Sequence, residues 1–157
     1  MNGKQQELLT HGDGTHELSF SEDKLFAIDS YSRMDLPTVY NVVSIAQPQK
    51  NFEVIRRSDE DLKAVGWQPP KLISLKAADN KTMLYGLMYL PYNLDVNKKY
   101  PIISNVYPGP QDDQLPRSFT LDDNGNQSLA NMGFIVVNIP PRGSSPLRGK
   151  DFYTYGY

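Results

Sequence analysis

Two short, continuous apolar runs constrain the fold more than any other feature of this sequence. They cover residues 102–107 and 134–139, and such runs are typical of strands buried on both faces of a sheet. Between them, residues 126–133 read as a short helix stopped by a glycine. A strand, a helix and a second buried strand in this order predict the start of an α/β sheet.

The first third of the chain has a different pattern, in which shorter strands are joined by acidic and proline-containing turns. Strands are predicted at residues 15–21, 24–31, 38–46 and 51–56, with Pro37 just before the third. Strands of this length and spacing favour an antiparallel meander, and a meander of about four strands is one propeller blade or one small sheet. Residues 58–66 predict a short helix with Ser58 as its N-cap and Gly66 as its terminator.

A boundary between two structural regions is predicted after Gly66, where Trp67 and two prolines interrupt the pattern. Residues 1–66 form the first region and residues 67–157 the second. The second opens with a predicted hairpin, residues 71–76 and 83–90, around a turn at 78–81. The chain as a whole is therefore expected to be a strand-rich, mixed α/β structure.

Composition excludes several classes of function. The net charge is −2 and no basic block occurs, which disfavours nucleic acid as a partner. The absence of cysteine excludes disulfides and thiolate zinc sites. No run approaches the ~18 apolar residues of a membrane span. The polar N-terminus lacks the apolar core of a signal peptide. The sequence begins in the middle of a pattern of structural elements, so any targeting signal is expected upstream.

Tyr107 is the first candidate for chemistry, because it ends an apolar strand and precedes a rigid turn. Pro108 and Pro110 restrict the backbone there, and Gly109 permits a tight or left-handed turn. A phenol held at the end of a buried strand can donate a hydrogen bond to a developing oxyanion. The alternative is that the ring of Tyr107 packs and its hydroxyl faces water.

The segment after the second apolar run is the other candidate region, since α/β proteins build sites beyond the ends of their strands. Arg142 and Arg148 could hold a carboxylate, or anchor the loop through backbone carbonyls. Ser144 and Ser145 are poor nucleophile candidates, because neither lies in a G-x-S-x-G elbow and no histidine follows.

The two histidines, His11 and His16, lie near Asp13 and Glu17. Imidazole and carboxylate are zinc ligands, but the spacing is not that of a helical pair and the glycines favour a turn. We expect a solvated hairpin loop and no metal site, and no cofactor is indicated elsewhere. A Ser-His-Asp triad is equally disfavoured, because its histidine would lie far in sequence from the α/β strands.

Taken together, these segments resemble the dipeptidyl peptidase IV branch of the prolyl oligopeptidase family of serine peptidases. The resemblance covers nearly the whole chain and is carried by residues 29–33, 99–103, 106–110 and 142–144. In that family a β-propeller precedes an α/β-hydrolase domain. The resemblance implies that residues 1–66 are the last propeller strands and the exit segment. It implies that residues 67–157 are the first, truncated part of the hydrolase domain.

The resemblance also implies an activity and a role for one residue. Members of the branch release N-terminal dipeptides, and their oxyanion hole uses a tyrosine in a V-Y-x-G-P segment, which Tyr107 matches. Pro108, Gly109 and Arg142 would position loops near that site. The serine, acid and base would lie beyond residue 157, so the chain alone is expected to be inactive. A peptide substrate, and a periplasmic or secreted location, are implied for the full enzyme.

Two alternatives stay open at this stage. The chain could be a β-rich binding or assembly module without chemistry, or it could come from an acylaminoacyl peptidase or esterase relative. A hydrolase sheet that is cut after its first strands would expose an edge and an apolar face. The isolated chain is therefore expected to associate with itself.

Overall fold

The computed structural model describes residues 7–107 and 112–156 of the chain. Strands dominate this part of the chain, and its helices are all short. In chain order the elements are β1 (Thr15–Phe20), β2 (Phe26–Arg33), β3 (Leu36–Ser44), β4 (Asn51–Arg56), α1 (Glu60–Ala64), β5 (Lys71–Lys76), β6 (Met83–Tyr89), β7 (Ile102–Ser104), α2 (Asn126–Asn131), β8 (Ile135–Asn138), a 3-10 turn (Pro146–Arg148) and α3 (Lys150–Tyr153).

The described residues divide into two compact units. The first contains the described chain up to Asp61, together with the short segment Arg117–Phe119. The second contains the described parts of 62–116 and 120–157. Each unit is built around one four-stranded sheet, and the predicted strand-rich, mixed α/β class is confirmed.

The sheet of the first unit is the predicted meander. Its strands are antiparallel in the order β1-β2-β3-β4, with consecutive strands as neighbours. Its buried face alternates along β2 and β3, where Ala27, Asp29, Val39 and Val43 are almost fully buried. Pro37 lies inside β3 rather than before it, because β2 and β3 continue to the pair Arg33–Leu36.

The sheet of the second unit has the order β5-β6-β8-β7, and its strands do not all run the same way. β5 and β6 form the predicted antiparallel hairpin, and β8 is antiparallel to β6. β7 and β8 are parallel, with Ile102 opposite Ile135 and Ser104 opposite Val137. The helix α2 lies between them in sequence, so the predicted strand-helix-strand order is confirmed.

The prediction that both apolar runs are buried on both faces is wrong for the first of them. β8 is an inner strand, and Val136 is fully buried. β7 is an edge strand of this sheet, as β5 is at the other side, and Ile102 is 68% exposed. An apolar sequence shows that a strand is suited to a buried position. Whether the strand is buried depends on which strands lie beside it. β7 is also shorter than predicted and ends at Ser104.

Gly86 marks a close approach of two backbones within this sheet. A Cβ atom there would overlap the carbonyl oxygen of Asn138 and lie 2.8 Å from the Cα atom of Ile139. Glycine in a strand often marks such an approach. Because Gly86 has no side chain, the chain leaving β8 can pass close to the β5–β6 hairpin.

Candidate functional site

The candidate site lies at the edge of the second sheet that is formed by the C-terminal ends of β7 and β8, rather than along an outer strand. Because these strands are parallel neighbours, the chain leaves both of them at the same edge. β6 is antiparallel to β8, so the β5–β6 turn lies at this edge as well. Three loops with polar side chains therefore meet there, which is where open α/β sheets commonly form their sites.

Tyr107 lies three residues beyond the end of β7 and is 50% exposed. Its neighbour Val106 is 46% exposed. The structure thus places the Tyr107 phenol on an accessible surface. Pro108 and Gly109, which were predicted to stiffen the next turn, lie outside the described residues. Their proposed part in positioning the loop stays a prediction.

Arg142 follows β8 and is held by two contacts. Its Nη1 atom donates to Oδ2 of Asp79 at 2.8 Å, and the guanidinium lies over the ring of Tyr155, 3.3 Å from its centroid. The Arg142 side chain is only 16% exposed. These contacts join the segment after β8 to the β5–β6 turn. Whether Arg142 positions a catalytic loop stays a prediction.

The carboxylate of Asp79 organises the β5–β6 turn as well as binding Arg142. It accepts hydrogen bonds from the Thr82 hydroxyl at 2.6 Å and from the backbone N–H groups of Lys81 and Thr82, both at 2.9 Å. These donors, the Thr82 hydroxyl first, hold the pKa of Asp79 well below its usual range, and the charge of Arg142 adds to the effect. Asp79 therefore stays ionised in the folded protein.

A shallow, open cavity of about 380 Å³ lies beside this ion pair. It is lined by Thr82, Arg142, Arg148, Asp151 and Phe152. The Nη2 atom of Arg148 donates to the carbonyl of Met83 at 2.9 Å, and its guanidinium stacks over Phe152 at 4.3 Å. Arg148 thus anchors its loop through a backbone carbonyl, one of the two roles expected from the sequence.

The structure gives no support for a nucleophile at Ser144 or Ser145. Both are buried, with exposed fractions of 1% and 5%. The Ser144 hydroxyl donates to the carbonyl of Pro141 at 2.6 Å. The Ser144 hydroxyl thus stabilises the turn after β8. The sequence context had indicated only that neither serine is a good nucleophile candidate.

His16 lies in the first unit, and the expectation of a solvated loop is wrong for it. It belongs to β1, is 15% exposed, and its Nδ1 atom lies 2.9 Å and 3.0 Å from the two carboxylate oxygens of buried Asp29. Its ring stacks on that of Tyr31. Across residues 7–107 and 112–156, no group of three or more His, Asp or Glu side chains could hold a metal ion.

Sequence reasoning missed a partly buried polar cluster that joins β6, the start of α2 and the residue after β7. We call it the Asn105 network, and its members are Asn105, Asn126, Asp123 and Tyr89. Asn126 is fully buried and Tyr89 is 2% exposed. Burial, followed by the hydrogen bond to Asp123, raises the pKa of Tyr89, so its hydroxyl remains a donor. The only signal in the sequence was two asparagines and an aspartate close to apolar strands.

Comparison with known proteins identifies relatives over most of the chain. No family model matches. The chain is 28% identical over 145 residues to dipeptidyl peptidase 8 of Mus musculus, which covers 87% of this chain and 16% of the relative. A Porphyromonas gingivalis dipeptidyl peptidase 4 structure aligns with a TM-score of 0.73 and 25% identity, over 95% of this chain and 21% of its own.

A second solved structure, described as a dipeptidyl aminopeptidase IV from Bacteroides ovatus, is 31% identical with a TM-score of 0.68. It covers 88% of this chain and 20% of its own. These relatives confirm the resemblance of the chain to the dipeptidyl peptidase IV branch of the prolyl oligopeptidase family. It spans about a sixth to a fifth of the length of these relatives. Its two sheets fit the end of the family's propeller and the start of its α/β-hydrolase sheet.

The part of the chain that the structure describes contains no helix long and apolar enough to cross a membrane.

The ionised state of Asp79 predicts a pH-dependent contribution to stability. Because its folded pKa lies below the ordinary value of 3.8, the contribution is present above that value and is lost as the pH falls toward the folded pKa. Replacing Asp79 with asparagine should lower Tm by a few degrees at pH 7, and the difference should shrink below pH 3.8. Thermal unfolding followed by circular dichroism across this range would measure it.

The exposed Glu22 provides a control, since Glu22→Gln should leave Tm unchanged at pH 7. A difference between wild type and Asp79→Asn that stays constant with pH would contradict the role assigned to the carboxylate.

Proposed function

We propose that this chain is the segment of a serine exopeptidase that joins the propeller to the hydrolase domain, and that the whole enzyme releases dipeptides from the N-termini of peptides. One observation carries the proposal: Tyr107 lies on the accessible surface beyond β7, at the edge where two parallel strands of the hydrolase-type sheet end. The similarity to dipeptidyl peptidases supplies the reaction class. The substrate is accordingly a peptide with a free N-terminus.

In this proposal Tyr107 donates its phenolic hydrogen to the oxyanion that forms when the scissile carbonyl is attacked. A phenol hydroxyl is a suitable donor for such an oxygen. Loss of one such donor typically costs ~2.7–4 kcal/mol of transition-state stabilisation. Pro108 and Gly109 would limit where the hydroxyl can point, and Arg142 would hold the neighbouring loop.

The domain boundary in this proposal lies between Gly66 and Trp67, at the end of α1, whereas the two compact units divide after Asp61. Gly66 has a left-handed backbone with φ of 85°, and its N–H donates to the carbonyl of Lys63 in α1. The N–H of Trp67 donates to the carbonyl of Leu62, which closes the end of the helix. Residues 1–66 then belong to the propeller, and residues 67–157 belong to the hydrolase domain.

The 157-residue chain alone should show no peptidase activity. It contains no G-x-S-x-G elbow, and its two histidines both lie in the first unit. Without an activated nucleophile, an oxyanion donor has no tetrahedral intermediate to stabilise. The measurement is hydrolysis of an X-Pro-nitroanilide by the purified chain, with the full-length protein as positive control. Turnover by the short chain would contradict this part of the proposal.

In the full-length protein, replacing Tyr107 with phenylalanine should lower kcat about 10²–10³-fold, because one oxyanion donor is removed. KM should change little, since the hydroxyl acts mainly in the transition state. Tyr40→Phe, in β3 of the other sheet, is the matched control and should retain wild-type rates. Steady-state kinetics on dipeptidyl, acylaminoacyl and ester substrates would test the donor and the substrate class together. Wild-type kcat in Tyr107→Phe would refute the role of Tyr107.

We also propose that the isolated chain associates through its exposed sheet edge. β7 presents its free edge and the exposed side chain of Ile102, and such edges pair readily with other chains. Light scattering coupled to gel filtration should show species larger than a monomer. Ile102→Lys should reduce them, whereas Val96→Lys, at an 85% exposed loop position, should not. A monodisperse monomer at high concentration would contradict the proposal.

A further inference from the structure

The Asn105 network is a chain of directed hydrogen bonds that ends two residues before Tyr107. The Tyr89 hydroxyl donates to Oδ2 of Asp123 at 2.6 Å. The amide of Asn126 donates to the same oxygen at 3.3 Å, and its own oxygen accepts from the Nδ2 atom of Asn105 at 2.6 Å. The network thus connects β6, the first turn of α2 and the residue that follows β7.

The carboxylate of Asp123 fixes the direction of every bond in this series. A carboxylate only accepts hydrogen bonds, so Asn126 must turn its NH₂ group toward Asp123 and its oxygen toward Asn105. That oxygen can only accept, so Asn105 must present its NH₂ group. Asn126 has no exposed surface, and water cannot replace either partner. The amide of Asn105 therefore has one favourable orientation.

Asn105 is held through its backbone as well as through its side chain. Its N–H donates to the carbonyl of Val137 at 2.8 Å, which continues the β7–β8 pairing one residue beyond Ser104. Asn105 is thus tied to β8 through its main chain and to α2 through its side chain. Two residues of extended chain reach at most ~7 Å. The position of Tyr107 relative to the sheet is therefore limited by where Asn105 is held.

We propose that the Asn105 network positions Tyr107, so that its members are positioning residues for the oxyanion donor. This inference rests on the proposed function. An apolar pair could fill the space of the Asn105 and Asn126 side chains without the cost of burying amides, which is appreciable unless every polar atom is paired. What the polar network adds is a single geometry. Displacement of a catalytic group by about 1 Å can cost 10²-fold in rate.

Kinetics of the full-length protein would test the inference. Asn126→Ala should lower kcat about 10- to 100-fold with KM within about twofold, because the donor is displaced and not removed. In the Tyr107→Phe background the same substitution should cause little further loss, since the network acts through the tyrosine. Asn131→Ala, at the other end of α2, is the matched control. Its side chain accepts from the N–H of Tyr92 and from Gln127, and does not bond to β7.

A second measurement keeps the inference testable if Asn126→Ala fails to fold or if Tyr107 proves inactive. Asn105→Leu leaves the bond between Tyr89 and Asp123 in place. Amide hydrogen exchange of residues 105–107 should be at least tenfold faster in this variant than in wild type, and exchange in the β5–β6 hairpin should be unchanged.

The outcomes separate the two proposals. If Tyr107→Phe retains wild-type kcat, the proposed role of Tyr107 fails whatever the network does. If Tyr107→Phe is impaired but Asn126→Ala multiplies the loss independently in both backgrounds, the positioning inference is wrong. Unchanged hydrogen exchange in Asn105→Leu would also overturn it. A loss in Asn131→Ala equal to that in Asn126→Ala would show a general effect of destabilising α2.

Discussion

The parallel pairing of β7 with β8 is the contact on which the candidate site depends. It sets Ile102 opposite Ile135 and Ser104 opposite Val137, and so brings the two strand ends to one edge of the sheet. Parallel strands cannot be joined by a tight turn, so the chain must cross over through α2 before it returns as β8. Both segments that carry chemistry-bearing side chains therefore leave the sheet side by side. The antiparallel hairpin then adds its turn to the same edge.

Buried polar groups in the two units are held by partners that fix their direction. Asp29 lies against the Nδ1 atom of His16 within the first sheet, and Asp123 holds the amide of Asn126 within the second. Among the described residues, no buried side-chain nitrogen or oxygen lacks a hydrogen-bond partner. A paired polar group adds little net stability compared with an apolar one of similar size. It does penalise shifted registers, in which the same group would be buried without a partner.

The sequence pattern was sufficient to predict the strands and helices, but not which neighbours surround each of them. The meander, the β5–β6 hairpin and the strand-helix-strand order follow from local periodicity and turn residues, and all of them occur in the structure. The exposure of Ile102 did not follow, because it depends on which strand lies next to β7. The pairs Asn105–Asn126 and Arg142–Asp79 join residues 21 and 63 positions apart. Nothing in local spacing distinguishes such residues from ordinary polar surface.

The partial exposure of Tyr107 bears on how the proposed donor would work. A hydrogen bond to a developing charge is strong where water is excluded, and it is weakened where water competes for the same oxygen. Half of the surface of Tyr107 is exposed in this structure. In the proposed role, its hydrogen bond to the oxyanion would become strong only when the rest of an active site covers it and excludes water. Before the site is covered, the contribution of the neighbouring residues is to hold the backbone in a defined position. The Asn105 network, which joins the residue after β7 to α2, and the Arg142–Asp79 pair beyond β8 both hold the chain at the strand ends. In the proposed enzyme they would limit the direction of the Tyr107 side chain before the rest of the active site covers it.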